Sequence, residues 1–420
     1  MISRRPKSML ILITSLAITF LLSSTSCNTE SATVPPIEDK DDYQKFSSYS
    51  EFMETLDNIA NISDEADRTS RMDIFWDSLV ANHQVPFAIN DSVAFLYKKL
   101  GNEIYWAGDF NSWQPSWHGT QVGLSDITIY ETTFPSDARL DYKIVDNNQW
   151  KLDPANEYKQ YGGFGANSEL RMPDWVYPEE TLVNDNVLKG NLSANIDIQS
   201  TNLGYKVQYK VYLPYNYDSS VDLPVIYVTD GQDYADQKLG SMVTVLDNLI
   251  FDEVIKPIIA IFIDPRNPDN LSENRRAEEY RSNIEFANFV ADELATSIEN
   301  QYKASTSADE RAILGASYGG WNSSYFGLAR SDKFHLIGIH SPSTSSQIIE
   351  GYQAAAKLPL KIFMSTGVIN DTEFQARSLN AVLDSKGYPL IYIEVNQGHS
   401  WGNWRGLLKQ PLVYFFSSGS

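Results

Sequence analysis

Residues 313–320 (ILGASYGG) set Ser317 between Gly315 and Gly319, behind apolar residues that suit a strand and ahead of residues that suit a helix. A serine on so sharp a strand-to-helix turn takes strained backbone angles, and the positions two away must be nearly free of side chain for strand and helix to pass. Its hydroxyl then stands clear at a sheet end, with a helix N-terminus behind it that favours negative charge. That is the equipment of a nucleophile. The same residues in a glycine-rich surface loop would amount to a solvated serine, so the surroundings have to decide.

A nucleophilic serine needs a base and an acid that orients it. Five histidines are available, His83, His118, His335, His340 and His399. The first two precede the serine, His335 opens a predicted strand, and His340 ends that strand on the site floor. His399 stands in residues 396–401 (NQGHSW), just past the last predicted strand, where a loop can carry an imidazole over the serine. Its other reading is a capping or surface histidine. The acid candidate is Asp371, in residues 367–373 (GVINDTE), with Glu373 as competitor; Asp371 could instead cap the helix starting near Phe374. The order serine, acid, histidine is that of α/β-hydrolases. An oxyanion hole would combine the amide of Tyr318 with that of Gln232 in residues 230–233 (DGQD), a stretch that also reads as an ordinary Asp-Gly turn.

These residues need a sheet to hold them. Residues 224–229 (PVIYVT) and 257–264 (PIIAIFID) are apolar runs suited to strands buried on both faces, as are 336–339, 360–366 and 390–395. Phe286, Val290, Leu294 and Ile298 recur at helical spacing, and residues 374–383 read as a further helix. Strands alternating with helices predict an α/β fold with a doubly wound, mostly parallel sheet. Residues 206–213 alternate as an antiparallel edge strand.

From about residue 207 to 416 the chain resembles esterases of the esterase D and enterochelin-esterase type, which include feruloyl and acetylxylan esterases. The resemblance rests on residues 211–214 (VYLP), Asp230-Gly231, Arg276 with Glu279, the elbow with its extra Gly320, Ser341-Pro342-Ser343, and residues 398–401 (GHSW) followed by Trp404-Arg405. It implies an α/β-hydrolase fold and a metal-independent, cofactor-free hydrolase with Ser317, Asp371 and His399 as its triad. Tyr234, Trp401 and Trp404 are the candidate aromatic walls for substrate. Residues 265–274 are the expected lid, and Arg276 with Glu279 the expected structural ion pair.

Residues 84–175 read as short alternating strands broken by turns, a small β-sandwich. Residues 106–113 (WAGDFNSW), 142–146 (YKIVD) and 150–154 (WKLDP) resemble immunoglobulin-like modules related to glycogen- and starch-binding domains. Trp106, Trp113, Trp117 and Trp150 could form a sugar-stacking platform, though tryptophans of so small a sandwich also serve as core. The alternative is a module that shapes one wall of the catalytic cleft. Residues 46–82 read as a helical segment packed on it, and 176–420 as the esterase domain.

Arg4, Arg5 and Lys7 precede an apolar run over residues 9–22 that is short for a membrane span, and small residues lead to the sole cysteine, Cys27. This resembles a bacterial lipoprotein signal over residues 1–26. Cys27 would then carry the lipid and residues 27–45 would be a tether, so the expected location is the cell envelope, at the outer membrane, with plain secretion as the alternative. The formal charge of −21 argues against nucleic acid as a partner, and no His/Cys cluster suggests a catalytic zinc. The expected activity is serine ester hydrolysis on feruloyl or acetyl esters of polysaccharide. Opening of a siderophore trilactone is the second expectation. A glycan-binding protein on a hydrolase fold that has lost catalysis is the third.

Overall fold

The apolar runs of the C-terminal half become strands of one sheet because their alternate residues find apolar partners on both faces. In Val225–Val228, Val225 and Tyr227 enter the core on one side while Ile226 and Val228 enter that on the other. The computed structural model describes residues 46–99 and 103–419; the signal, Cys27 and the tether expected before residue 46 lie outside the described residues.

The sheet has nine strands. Its parallel part runs Ile259–Asp264, Val225–Val228, Arg311–Ala316, Leu336–His340, Lys361–Gly367 and Leu390–Val395. Lys206–Leu213 adds antiparallel beside Ile259–Asp264. It is not the edge, because Asn191–Leu192 and Ile196–Gln199 pair along its other side and cover its open backbone groups. One face carries Phe286, Val290, Leu294 and Ile298, all buried as their spacing predicts. Their helical run is Ile284–Asn288, a π-helical stretch Phe289–Leu294, then Ala295–Gln301. The opposite face is covered by Met242–Phe251, Trp401–Gly406 and Lys409–Phe416. With helices on both faces, the open places are the C-terminal ends of the strands.

Before this sheet lie two antiparallel sheets. One orders Phe87–Ile89, Ser92–Lys98, Ile127–Thr133 and Thr120–Gln121; the other is built around Ile104–Gly108, Arg139–Asp146 and Gly165–Arg171. Val93, Phe95 and Tyr97 share a core with Trp106, Leu140, Tyr142 and Ile144 of the second sheet. Ala94 and Leu96, on the other face of the same strand, pack with Phe52 and Phe75. The segment over residues 46–82 is two helices, Tyr49–Ala60, which ends on Asn61, and Glu65–Ala81, which Asp64 caps through a bond from the Asp67 amide at 2.8 Å.

Residues 265–274 are a two-stranded hairpin, Arg266–Asn267 with Asn270–Asn274, and none of them lines the cavity that Ser317 opens onto. The Asn267 side chain accepts from the Asp269 amide at 3.0 Å and closes the turn locally. Arg276 and Glu279 do not pair. The Glu279 carboxyl takes a hydrogen bond from the Tyr205 hydroxyl at 2.9 Å, and burial pushes it up to about 8.

Ile261 sits in the sheet interior with no exposed surface. Ile261→Ala is expected to cost about 2–5 kcal/mol of unfolding free energy in urea denaturation. An unchanged midpoint would place Ile261 outside the load carried by the core.

Candidate active site

Ser317 stands between the strand Arg311–Ala316 and the helix Tyr318–Ala329, with φ 58° and ψ −117°. That conformation is strained for a residue with a side chain, and the neighbours hold it in place. The Ser317 amide donates to the His340 carbonyl at 3.0 Å, and its own carbonyl accepts from Trp321 at 3.0 Å. A Cβ on Gly315 would strike the Thr229 hydroxyl and the Gly319 backbone, and one on Gly319 would meet the same hydroxyl, which is why only glycine fits at both positions. The Ser317 hydroxyl lies 3.4 Å from that of Ser343.

Asp371 follows the strand Lys361–Gly367, and its side chain has no exposed surface. One carboxylate oxygen meets His399 Nδ1 at 2.6 Å and the Thr372 amide at 2.7 Å. The other accepts from the Gly367 amide and the Ser341 hydroxyl, each at 2.6 Å, and from Asn403 Nδ2 at 3.2 Å. Burial works to raise this carboxyl, but the bonds and charge of His399, with Ser341 and Gly367, outweigh it and hold it below its ordinary 3.8. An ionised acceptor at Nδ1 fixes that nitrogen as the protonated one and leaves Nε2 to take a proton. The His399 ring lies against Trp404 at 5.0 Å, edge to face, and Trp404 donates to the Ser341 hydroxyl at 2.8 Å. Glu373, the competing acid, heads the helix Glu373–Ser385 and has no bond to His399.

Gln232 belongs to the short helix Gly231–Tyr234 after the strand Val225–Val228, and Tyr318 is the first residue of the elbow helix. Both amides fall in first helical turns, where the chain offers no acceptor four residues back. Arg276 ties these two turns together. Its Nε meets the Asp230 carboxylate at 2.7 and 2.9 Å, and its Nη2 donates to the Ala316 carbonyl at 3.2 Å.

Ser317 and His399 line one cavity of about 510 Å³. Trp401 and Trp404 line it too. Tyr234 does not: it is fully buried behind Trp401, with ring centroids 5.0 Å apart, because its helix turns it into the core. His340 is also sealed off, bonded to the Ser365 hydroxyl at 2.7 Å and pushed down to about 3 by burial. The facing wall comes from the second N-terminal sheet and its loops. Trp113, Trp150 and Phe164 line it, with Asp109 and Lys143 beside them. Trp106 is core and Trp117 is stacked between Phe110 and Tyr130, so the four tryptophans form no single platform. Phe164 was missed at the sequence level, although residues 162–165 (GGFG) carry a signal, an aromatic on a glycine-rich turn. Ser341 and Asn403 gave no such signal as partners of Asp371, since only folding brings them there.

The chain matches the family described as "Putative esterase" over residues 200–415. Its fold is similar to that of the enterobactin esterase of Shigella flexneri, at 20% identity and a TM-score of 0.63 over 77% of this chain and 92% of that one. The ferric enterobactin esterase of Salmonella typhimurium matches at 20% identity and TM-score 0.68, covering 82% and 98%. A CE1 ferulic acid esterase of Anaeromyces mucronatus matches at 20% identity and TM-score 0.50, covering 58% and 97%. A mixed α/β sheet with an elbow serine and an imidazole at one cavity defines the class: the protein is a carboxylic ester hydrolase. It belongs to the Putative esterase family.

Asp371→Asn is expected to lower kcat by up to about ten-thousandfold, since the amide cannot fix the imidazole in the same tautomer. A carboxyl depressed in the folded state contributes stability above its unfolded value and loses it as the pH falls through the folded one. The stability gap between wild type and Asp371→Asn, read by urea unfolding, should therefore stay level above about pH 5 and close in more acid solution. A gap that widens toward acid would contradict an ionised Asp371.

Proposed function

We propose that Ser317 attacks the ester carbonyl, that His399 takes its proton through Nε2 and returns it to the leaving alcohol, and that Asp371 holds and charge-balances the imidazole. The Tyr318 and Gln232 amides bind the oxyanion, and water then releases the acid. The observation that carries this reading is the pairing of His399 with Asp371 at 2.6 Å on the cavity that Ser317 lines.

The preferred substrate is a neutral acyl ester of a polysaccharide, feruloyl or acetyl. Trp401 and Trp404 on one side and Trp113, Trp150 and Phe164 on the other offer flat apolar faces to an aromatic acyl group or a sugar ring. Phe164, fully exposed over the cavity, lacks an apolar partner of its own. We read the two N-terminal sheets as an immunoglobulin-like sandwich and residues 176–420 as the catalytic domain. A siderophore trilactone is the second reading, favoured because the likeness to the enterobactin esterases extends well beyond residues 200–415. Charge does not choose between the two: of the four carboxylates on the cavity, Asp230 is paired with Arg276, Asp141 is paired with Arg139, and burial pushes Asp109 up to about 8, which leaves Asp233 beside Lys143.

Purified protein is expected to turn over methyl ferulate or acetylated xylan faster than a catecholate trilactone, and Ser317→Ala to be silent on each. A fluorophosphonate probe should label wild type and not the variant. Activity persisting in Ser317→Ala would refute the nucleophile.

We further propose that the chain is exported and anchored in the bacterial envelope through lipid on Cys27. Labelled palmitate should enter the wild-type protein in cells and be absent from Cys27→Ala. Equal labelling of both would end that reading.

A further inference from the structure

Arg139 opens the strand Arg139–Asp146 of the N-terminal sheets and has no exposed surface. Its guanidinium is held from below by Glu169 through Nε and by Asp141 through Nη2. The remaining arm, Nη1, reaches out of the sheet to the Ser400 hydroxyl at 3.1 Å. Ser400 stands at the N-cap position of the helix Trp401–Gly406 but makes no capping bond with its side chain, so its hydroxyl serves Arg139 instead.

The backbone joins there too. The Arg139 amide donates to the Asn396 carbonyl at 3.2 Å, Arg139 bridges to Gln397 in parallel register, and Asn396 Nδ2 donates to Asp137 at 2.6 Å. A Cβ on Gly402 would run into the Arg139 guanidinium, and one on Gly398 into the Asp109 side chain. The acid loop is seated on the same surface, with Asn370 Nδ2 donating to the Asp109 carbonyl at 2.8 Å. Both residues flanking His399 are therefore pressed against one sheet that lies far earlier in the chain.

We propose that Arg139 is a positioning residue for ester hydrolysis, fixing from the N-terminal sheets the loop that carries His399, so that those sheets are a working part of the catalytic geometry. The inference rests on the triad reading above. Nothing in the loop between Val395 and Trp401 forms a regular element, so its path is set by what it leans on. Arg139 supplies a rigid fork with two prongs spent on buried carboxylates, which leaves the third with little freedom to wander.

The test is steady-state hydrolysis of p-nitrophenyl acetate by Arg139→Met and Ser400→Ala, with kcat and KM determined separately and folding checked by circular dichroism. A misplacement of the base costs rate more than binding, so kcat is expected to fall by about tenfold to a hundredfold with KM little changed. Arg139→Met leaves the buried Asp141 without its cation, while Glu169 keeps Arg171, and where the variant does not fold, Ser400→Ala carries the decision alone. A folded variant with wild-type kcat, or one that loses KM and kcat alike, would overturn the proposal. Ser317→Ala runs in the same series. An active Ser317→Ala overturns the triad and the positioning role with it, whereas a silent Ser317→Ala beside unperturbed Arg139→Met and Ser400→Ala overturns the positioning role alone.

Discussion

A carboxylate with no exposed surface is the constraint on which the site turns. Taking the Asp371 charge out of water costs several kcal/mol unless hydrogen bonds replace the lost hydration. Those bonds come from separate segments: Gly367 at its own strand end, Ser341 beyond the neighbouring strand, and His399 with Asn403 past the last strand. No segment can shift without leaving the charge short of a donor. Trp404 reinforces this, since its ring backs His399 while its indole nitrogen binds Ser341. One buried charge thereby sets the relative positions of several loops.

The parallel sheet makes such a convergence possible. Six neighbouring strands run in one direction, and the loops bearing Gln232, Ser317, Asp371 and His399 all leave from the same end. The strain stored at Ser317, of order 1–3 kcal/mol for a residue at such angles, is met by bonds to His340 and Trp321 and by glycines at the crossing of strand and helix. Arg276 couples this elbow to the Asp230 turn by bonding both Asp230 and the carbonyl before Ser317. Ser317 and the proposed oxyanion donors are thus braced by a cation paired with Asp230.

The second N-terminal sheet completes the cavity rather than standing apart from it. Its aromatic residues face Trp401 and Trp404 across the space that Ser317 opens onto, and its buried Arg139 reaches the histidine loop. The aromatic wall of the cavity and the brace on the histidine loop therefore come from the same sheet, the one built around Ile104–Gly108, Arg139–Asp146 and Gly165–Arg171.

The elbow was readable because its requirement is local: a strained serine needs glycine on either side, and a strand buried on both faces is an uninterrupted apolar run. The same short-range logic located the parallel strands, the loops bearing Asp371 and His399, and the helical spacing from Phe286 to Ile298. Where residues distant in sequence had to meet, short-range logic ran out. Tyr234 and Trp401 are both aromatics near the expected site, yet one is core and the other wall, a matter of which way each helix turns. Glu279 went to Tyr205 instead of Arg276, and Lys206–Leu213 acquired outer partners from a connector that carries little pattern. Sequence alone determined the chemistry on offer and the strand ends where it would stand, because glycine sterics and apolar runs act between near neighbours. Only the tertiary structure decided that residues from Trp113 to Phe164 form the facing wall and that Arg139 meets Ser400, because those contacts exist only once two separately patterned cores pack side by side.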